Sequence, residues 1–136
     1  MTYSKVIVAV RDGGLTRDGA EALVARCAAV GAVRIQLNIV DDRVSGAMRI
    51  DELDPAIDAV VTYWAEDADA VLPTVVQSIE GRPAAWEVTA RAPLDPELPA
   101  DGTRIDALSN VAFLRRPAEL DRDEWARRWL DDHTRV

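Results

Sequence analysis

The chain has 136 residues, enough for one domain with a hydrophobic core, and its 49% hydrophobic and 29% charged residues are typical of a globular protein. Its formal net charge of −8 argues against nucleic acid or an anionic membrane surface as a partner, since both require clustered basic residues. The single cysteine, Cys27, excludes an internal disulfide and a multi-thiolate metal site, and its place on an apolar helix stripe predicts burial.

The first forty residues predict a strand, a helix and a second strand. A β-branched run at 5–10 is typical of a central buried strand, and a turn is expected at 11–14. Thr16 can cap a helix that ends near Gly31. Residues 34–40 then alternate cleanly between apolar and polar side chains, which predicts the second strand.

Two further strands are predicted at 57–64 and 85–91, where β-branched and aromatic residues are frequent. The order strand, helix, strand, strand, helix, strand is the split βαβ pattern of a ferredoxin-like α+β domain. We assign this domain to residues 1–92. Its two helices should cover one face of the sheet and leave the other face bare.

The second helix lies between these two strands. Asp67 or Asp69 can cap it, and Pro73 should then fall in its first turn, where a missing N–H is tolerated. The Gly-Arg-Pro sequence at 81–83 should end the helix and precede the last strand.

The beginning of the chain recurs near its end as an internal repeat. Residues 6–28 align without gaps with residues 111–133, and both copies predict an apolar strand, a polar turn and a helix. The alignment is fixed by Leu15 with Leu120, Arg17 with Arg122 and Asp18 with Asp123. A spacing of about a hundred residues suits a duplicated small domain rather than a solenoid.

The repeat divides the rest of the chain into two parts. Residues 93–103 are rich in proline and predict a stiff linker. Residues 104–136 are a partial second repeat, with a strand at 110–114 and a helix at whose start Asp121 and Glu124 approximate a capping box. We expect either that the chain is part of a longer protein or that this arm completes its fold against another chain.

The segment 113–133 resembles the signature of the EthD family, which is a strand, Arg-x-Pro, an acid-capped helix, and then aromatic residues and a histidine on one helix face. The matching positions here are Arg115 or Arg116, Pro117, Asp121, Glu124, Trp125, Trp129 and His133. The first copy of the repeat matches only in topology.

This resemblance implies a dimeric α/β-barrel, in which two sheets meet across a two-fold axis and enclose a pocket. Relatives of this kind are associated with the breakdown of small ethers, or with dehydration or decarboxylation of polyketide-like aromatics. We therefore expect a homodimer or larger homo-oligomer that binds a small-molecule ligand. Neither a cofactor nor a metal is expected, since one histidine among scattered carboxylates lacks the spacing of a metal site.

His133 is the candidate catalytic residue. An imidazole titrates near neutral pH and can carry a proton in an elimination or a decarboxylation. The alternative is a solvent-facing residue that interacts favourably with the helix dipole.

The bare face of the sheet is where we expect the pocket. Polar residues of the second strand alternate with the helix-packing residues, so they should point into a mostly apolar cavity. Tyr63 or Trp64, together with Trp86, could form its walls. The candidate substrate-binding residues are Arg34, Gln36, Asn38, Trp64, Trp86 and Trp129. The alternative is an ordinary hydrated interface.

Two functions are compatible with these patterns. One is an EthD-like enzyme that performs a cofactor-free acid/base step of the lyase type on an aromatic or carbonyl compound. The other is a non-catalytic ligand-binding or structural dimerisation module. The N-terminus lacks the apolar region of a signal peptide and no segment is long enough to span a membrane, so we expect a cytoplasmic protein.

Overall fold

A computed structural model describes residues 1–47, 53–90, 103, 105, 109 and 111–133 of the chain. Its elements are β1 (Ser4–Gly14), α1 (Arg17–Ala29), β2 (Ala32–Ile39), a short 3₁₀ helix (Asp42–Val44), β3 (Ile57–Ala65), α2 (Ala68–Ser78), β4 (Glu80–Val88), α3 (Arg122–Arg127) and a π-helix (Arg128–His133). The strands β1 to β4 and the helices α1 and α2 follow one another along the chain in the predicted order.

The four strands form one antiparallel sheet in the order β2-β3-β1-β4. This order places β1 and β3 in the centre and makes every pair of neighbours antiparallel, as in a ferredoxin-like α+β fold. The fold class predicted from the sequence is confirmed. No helix in the described part of the chain is long and apolar enough to cross a bilayer.

The hydrophobic core lies between one face of the sheet and the helices α1 and α2. Alternate residues of each strand point to this face, because successive side chains of a strand leave on opposite sides. The least exposed core side chains are Tyr63, Leu23, Val8, Val10, Val61, Val71, Val75 and Cys27. The apolar residues of β2 are partly buried and pack against the edge of this core. They therefore lie on the same face of the sheet as the two helices.

Side-chain caps fix the start of both long helices. The Thr16 hydroxyl accepts a hydrogen bond from the Gly19 amide at 3.1 Å, and the Asp67 carboxylate accepts one from the Ala70 amide at 3.1 Å. Asp67, rather than Asp69, is therefore the cap of α2. Because α2 begins at Ala68, Pro73 lies beyond the first turn, contrary to prediction, and the helix lacks the one backbone bond that its N–H would donate.

The turn predicted at 11–14 and the break predicted at 81–83 are both wrong, because β1 and β4 pair at Arg11 and again at Gly14, with an irregularity of register between these two residues. Two glycines allow the backbones to approach closely at this end of the sheet. A Cβ on Gly13 would lie 2.2 Å from the Glu80 carbonyl oxygen, and one on Gly81 would lie 2.3 Å from the Arg11 carbonyl oxygen. These glycines serve a close contact between two strands rather than a turn.

The C-terminal arm differs in structure from β1 and α1, with which its sequence aligns. The described residues 111–117 are not part of any strand, so the strand predicted at 110–114 is not formed in this part of the chain. Asp121 caps α3 by accepting from the Glu124 amide at 2.8 Å, but the Glu124 carboxylate binds Arg127 and Arg128 instead of closing the capping box. None of the residues of α3 is buried, whereas α1 buries three residues.

Candidate functional site

The face of the sheet opposite α1 and α2 consists of three cross-strand rows of side chains, running from β2 through β3 and β1 to β4. The first row is Arg34, Trp64, Lys5 and Val88, the second is Gln36, Thr62, Ile7 and Trp86, and the third is Asn38, Val60, Ala9 and Ala84. Neighbours within a row lie about 5 Å apart, and adjacent rows about 7 Å apart.

A cleft of 390 Å³ lies between this face and residues 111–114 of the C-terminal arm. The ring of Phe113 lies 6.4 Å from the ring of Trp86, centroid to centroid, at an interplanar angle of 50°. The arm therefore covers part of the face that the sequence predicts to be bare. The volume falls at the lower end of the range of about 300–1,000 Å³ that is usual for small-molecule sites.

The side of the cleft nearest β2 and β3 is polar. The Gln36 side-chain amide donates to the Asn38 side-chain oxygen at 3.3 Å. Thr62 is only 6% exposed, and within the described residues its hydroxyl makes no hydrogen bond. This hydroxyl is not among the fully buried side-chain atoms that lack a hydrogen bond, so it is accessible from the cleft and can bond a ligand or water there.

The side nearest β4 is apolar and aromatic. Ile7 and Val88 line it together with Trp86 and the apolar residues of the arm. Trp86 is 48% exposed and Phe113 is 37% exposed, so the two rings retain open surface on which a planar group could stack. The cleft thus changes from hydrogen-bonding groups to aromatic surface along the second row, from Gln36 to Trp86.

The first row adds positive charge at one end of the cleft. The Lys5 ammonium nitrogen lies 5.1 Å from the centroid of the Trp64 ring, and the guanidinium carbon of Arg34 lies 4.7 Å from it. Both are cation–π contacts. Among the described residues that line the cleft, Lys5 is the one with an ionisable side chain.

The structure brings five of the six predicted substrate-binding residues to one face. Gln36, Asn38 and Trp86 line the cleft, while Arg34 and Trp64 lie beside it in the first row. Trp129 belongs to the π-helix and does not line the cleft.

Two further predicted residues fall elsewhere. Tyr63 points to the helix face, where its hydroxyl donates to the Ala68 carbonyl oxygen at 2.9 Å, so of the two predicted wall residues only Trp64 lies on the open face. The backbone of the π-helix ends at His133, and the side chain of His133 lies outside the described part of the chain.

Sequence reasoning missed Lys5, Ile7, Thr62 and the arm as lining residues. The alternation of the first and third strands could have found the first three, because Lys5 and Ile7 share a face with each other and Thr62 shares one with Trp64. Phe113 carried no such signal, because nothing in its local sequence indicates that it packs on β4.

The titratable groups of the hydrophobic core do not reach this cleft. Burial raises the pKa of the Cys27 thiol, an effect that Arg26 partly offsets. Burial, with smaller contributions from Asp69 and other negative groups, raises the pKa of Tyr63 to about 12. Both side chains lie in the core on the helix side of the sheet, so both are packing residues there.

No described group of three or more histidine, cysteine or carboxylate side chains is placed so that it could hold a metal ion. The side-chain polar groups of the described lining are amides, one hydroxyl, one indole N–H and one ammonium, which suit hydrogen bonding to an organic ligand.

No known family profile and no curated protein sequence matches this chain. Among solved structures it is similar to LarC2, described as the C-terminal domain of a cyclometallase involved in the synthesis of the NPN cofactor of lactate racemase, in its apo form. The identity is 17%, the match covers 65% of this chain and 57% of that chain, and the TM-score is 0.38. A likeness at this level assigns neither a family nor an activity, so the EthD resemblance depends on the segment 113–133.

Proposed function

We propose that this protein is a small-molecule-binding module whose ligand occupies the cleft between the open face of the sheet and residues 111–114. The observation that carries this proposal is the Thr62 hydroxyl, which belongs to a residue only 6% exposed, is accessible from the cleft and makes no hydrogen bond within the described residues. A ligand carbonyl or hydroxyl would supply the missing partner.

The two sides of the cleft support a ligand with an apolar ring and polar substituents. The ring would stack on Trp86 and Phe113, and the substituents would meet Gln36, Asn38 and Thr62. Small-molecule sites commonly combine an apolar wall with a few converging polar groups in this way.

Catalysis of the EthD type is a second candidate, favoured by the signature motif at 113–133. Its acid/base step would require the His133 imidazole to reach the cleft, either from the same chain or from a second copy in a homodimer. The described lining contains no carboxylate and no imidazole. Binding without chemistry is therefore the function that the described geometry supports best.

Ligand titration followed by NMR tests the proposal. A panel of neutral and charged one- and two-ring aromatic compounds is added to protein labelled at its methyl groups and tryptophan indoles. We expect saturable shifts at Ile7, Val60 and the Trp86 indole, with the core methyls of Val71 and Val75 unaffected. Saturable binding that shifts residues elsewhere, or no binding by any compound, would contradict the proposal.

Two tryptophan variants provide the matched comparison. Trp86→Ala removes an aromatic wall of the cleft and should weaken binding, whereas Trp125→Ala removes a tryptophan of α3 that does not line the cleft and should leave the affinity unchanged. Equal effects of both variants would indicate a general loss of structure, and circular dichroism with thermal unfolding identifies that case.

The second candidate is tested with His133→Ala. If the protein is a binding module, this variant should bind the same probes with unchanged affinity. If a compound that binds the cleft is also converted, and conversion is lost in His133→Ala while binding is kept, the EthD-like step is the better description.

A further inference from the structure

The described lining of the cleft differs in charge from the chain as a whole. The chain carries 24 acidic and 16 basic residues and is strongly acidic overall. The described lining nevertheless includes no acidic side chain and one basic side chain, Lys5. A cationic ligand would be attracted to many places on the surface of this protein, but the described lining offers it no carboxylate.

The Lys5 ammonium is available to a ligand. Among the described residues no carboxylate lies within ion-pairing distance of it, and the contact that the structure gives it is the Trp64 ring at 5.1 Å. An ammonium over an aromatic face keeps hydrogen-bonding capacity that the ring does not satisfy.

Arg34 lies at the same end of the open face as Lys5. Its guanidinium carbon lies 4.7 Å from the centroid of the same Trp64 ring, and Arg34 and Lys5 lie on either side of Trp64 in the first row.

The position of Lys5 relative to the apolar wall determines the size of the ligand. Lys5 and Ile7 both lie on β1, two residues apart, which is about 7 Å along a strand. Trp86 is the neighbour of Ile7 on β4. A ring on Ile7 and Trp86 that bears an anionic group directly, or one atom away, reaches Lys5, while the Thr62 hydroxyl lies on the other side of Ile7 in the same row as Trp86.

We propose that the ligand of this cleft is a planar aromatic or conjugated monocarboxylate, with its carboxylate bound by Lys5 and its ring stacked on the open surface of Trp86 and Phe113. This inference rests on the proposed function and adds the chemical class of the ligand. One ammonium in a described lining that is otherwise neutral suits a single negative charge, because a doubly charged phosphate would lack the several donors that phosphate sites provide.

Affinities for compounds of equal shape and different charge test this inference. The probes are 2-naphthoate, its neutral amide 2-naphthamide, and the cationic 2-(aminomethyl)naphthalene, together with benzoate and benzamide as a smaller pair. Dissociation constants are taken from NMR titrations on the cleft residues. We expect each carboxylate to bind about tenfold more tightly than its amide, because one charge-assisted hydrogen bond contributes a difference of about this size. The preference should fall as salt is added.

Three variants assign that preference to Lys5. Lys5→Gln should bring the carboxylate-to-amide ratio to about one while the affinity for the amide stays unchanged, and Lys5→Arg should keep the preference. Arg17→Gln removes the same charge from an exposed position on α1 and should change nothing. Thermal unfolding shows whether each variant is folded. If Lys5→Gln fails to fold, the carboxylate-to-amide ratio of Lys5→Arg is compared with that of the wild-type protein instead.

The outcomes separate this inference from the proposed function. If carboxylate and amide bind equally well at the cleft, or if the amine binds best, the ligand class is wrong while the binding function stands. If no probe shifts any residue of the cleft, the binding function is contradicted and this inference fails with it. A carboxylate preference that survives in Lys5→Gln would also overturn the assignment.

Discussion

Phe113 packs against Trp86 with ring centroids 6.4 Å apart, and this contact joins the C-terminal arm to the edge strand β4 of the sheet. The two residues belong to parts of the chain that the sequence separates by a proline-rich stretch at 93–103. The contact closes one side of the cleft, so the candidate site depends on both parts of the chain.

Removal of the Phe113 ring should open the cleft with little effect on stability. Both rings remain partly exposed, and an aromatic pair contributes about 0.5–1.5 kcal/mol beyond its buried area. We expect Phe113→Ala to change the free energy of unfolding by about 1 kcal/mol or less, while the Trp86 indole N–H loses its ring-current shift and exchanges faster with water. Phe113→Tyr, which keeps a ring, should preserve the shift. A loss of several kcal/mol would show that the arm is part of the core.

Thr62→Val should weaken ligand binding with little effect on the stability of the free protein. The substitution replaces a hydroxyl that is accessible from the cleft and makes no hydrogen bond within the described residues by a methyl group of similar size. We expect the free energy of unfolding to change by less than about 1 kcal/mol, and ligand binding to lose about 0.5–1.5 kcal/mol with the lost hydrogen bond. Urea unfolding measures the stability, and the naphthoate titration measures the affinity. A strongly destabilised variant would mean that the hydroxyl already has a partner in the folded protein.

Cys27 should be unreactive in the folded protein. Its side chain has 0% exposure, and burial raises the pKa of its thiol, so little reactive thiolate forms at neutral pH. We expect a thiol reagent to label Cys27 only as fast as the protein unfolds, with a rate that rises with urea concentration. Rapid stoichiometric labelling without urea would contradict the packing of α1 on the sheet.

Glu124 should titrate far below an ordinary glutamate. Hydrogen bonds from Arg127 and Arg128 lower the pKa of its carboxyl from 4.5 to about 2. Because the folded-state value is depressed, these bonds contribute stability above the unfolded pKa of about 4.5 and lose it as the pH falls towards 2. The ¹³C shift of the carboxyl carbon against pH measures the midpoint.

Replacement of both arginines by glutamine provides the control for this titration. The pKa of Glu124 should return towards about 4.3, the value of an unperturbed glutamate. A wild-type midpoint already near that value would show that the two ion pairs do not persist in solution.

The order of the elements was predictable because each element carries its own local pattern. β2 alternates strictly, so the helix-packing residue Ile35 and the open-face residue Gln36 could be assigned to opposite faces. Thr16 identifies the start of α1, since its hydroxyl can satisfy a free amide of the first turn.

The ends of β1 and β4 were not predictable from local patterns. Gly13 and Gly81 indicate a turn and a break, yet each is required by the approach of the other strand, which is distant in sequence. The residues of the cleft also differ in how far they could be predicted. Strand alternation places Gln36, Asn38 and Trp86 on one face, whereas the position of Phe113 depends on how the arm folds back.

The most direct test of the ligand-binding cleft is the set of intermolecular NOEs between bound 2-naphthoate and methyl-labelled protein. We predict NOEs from the naphthalene protons to the methyl groups of Ile7, Val60 and Thr62, and none to Val71 or Val75 beneath the helices. Saturable binding with NOEs confined to methyl groups outside the cleft would contradict this prediction.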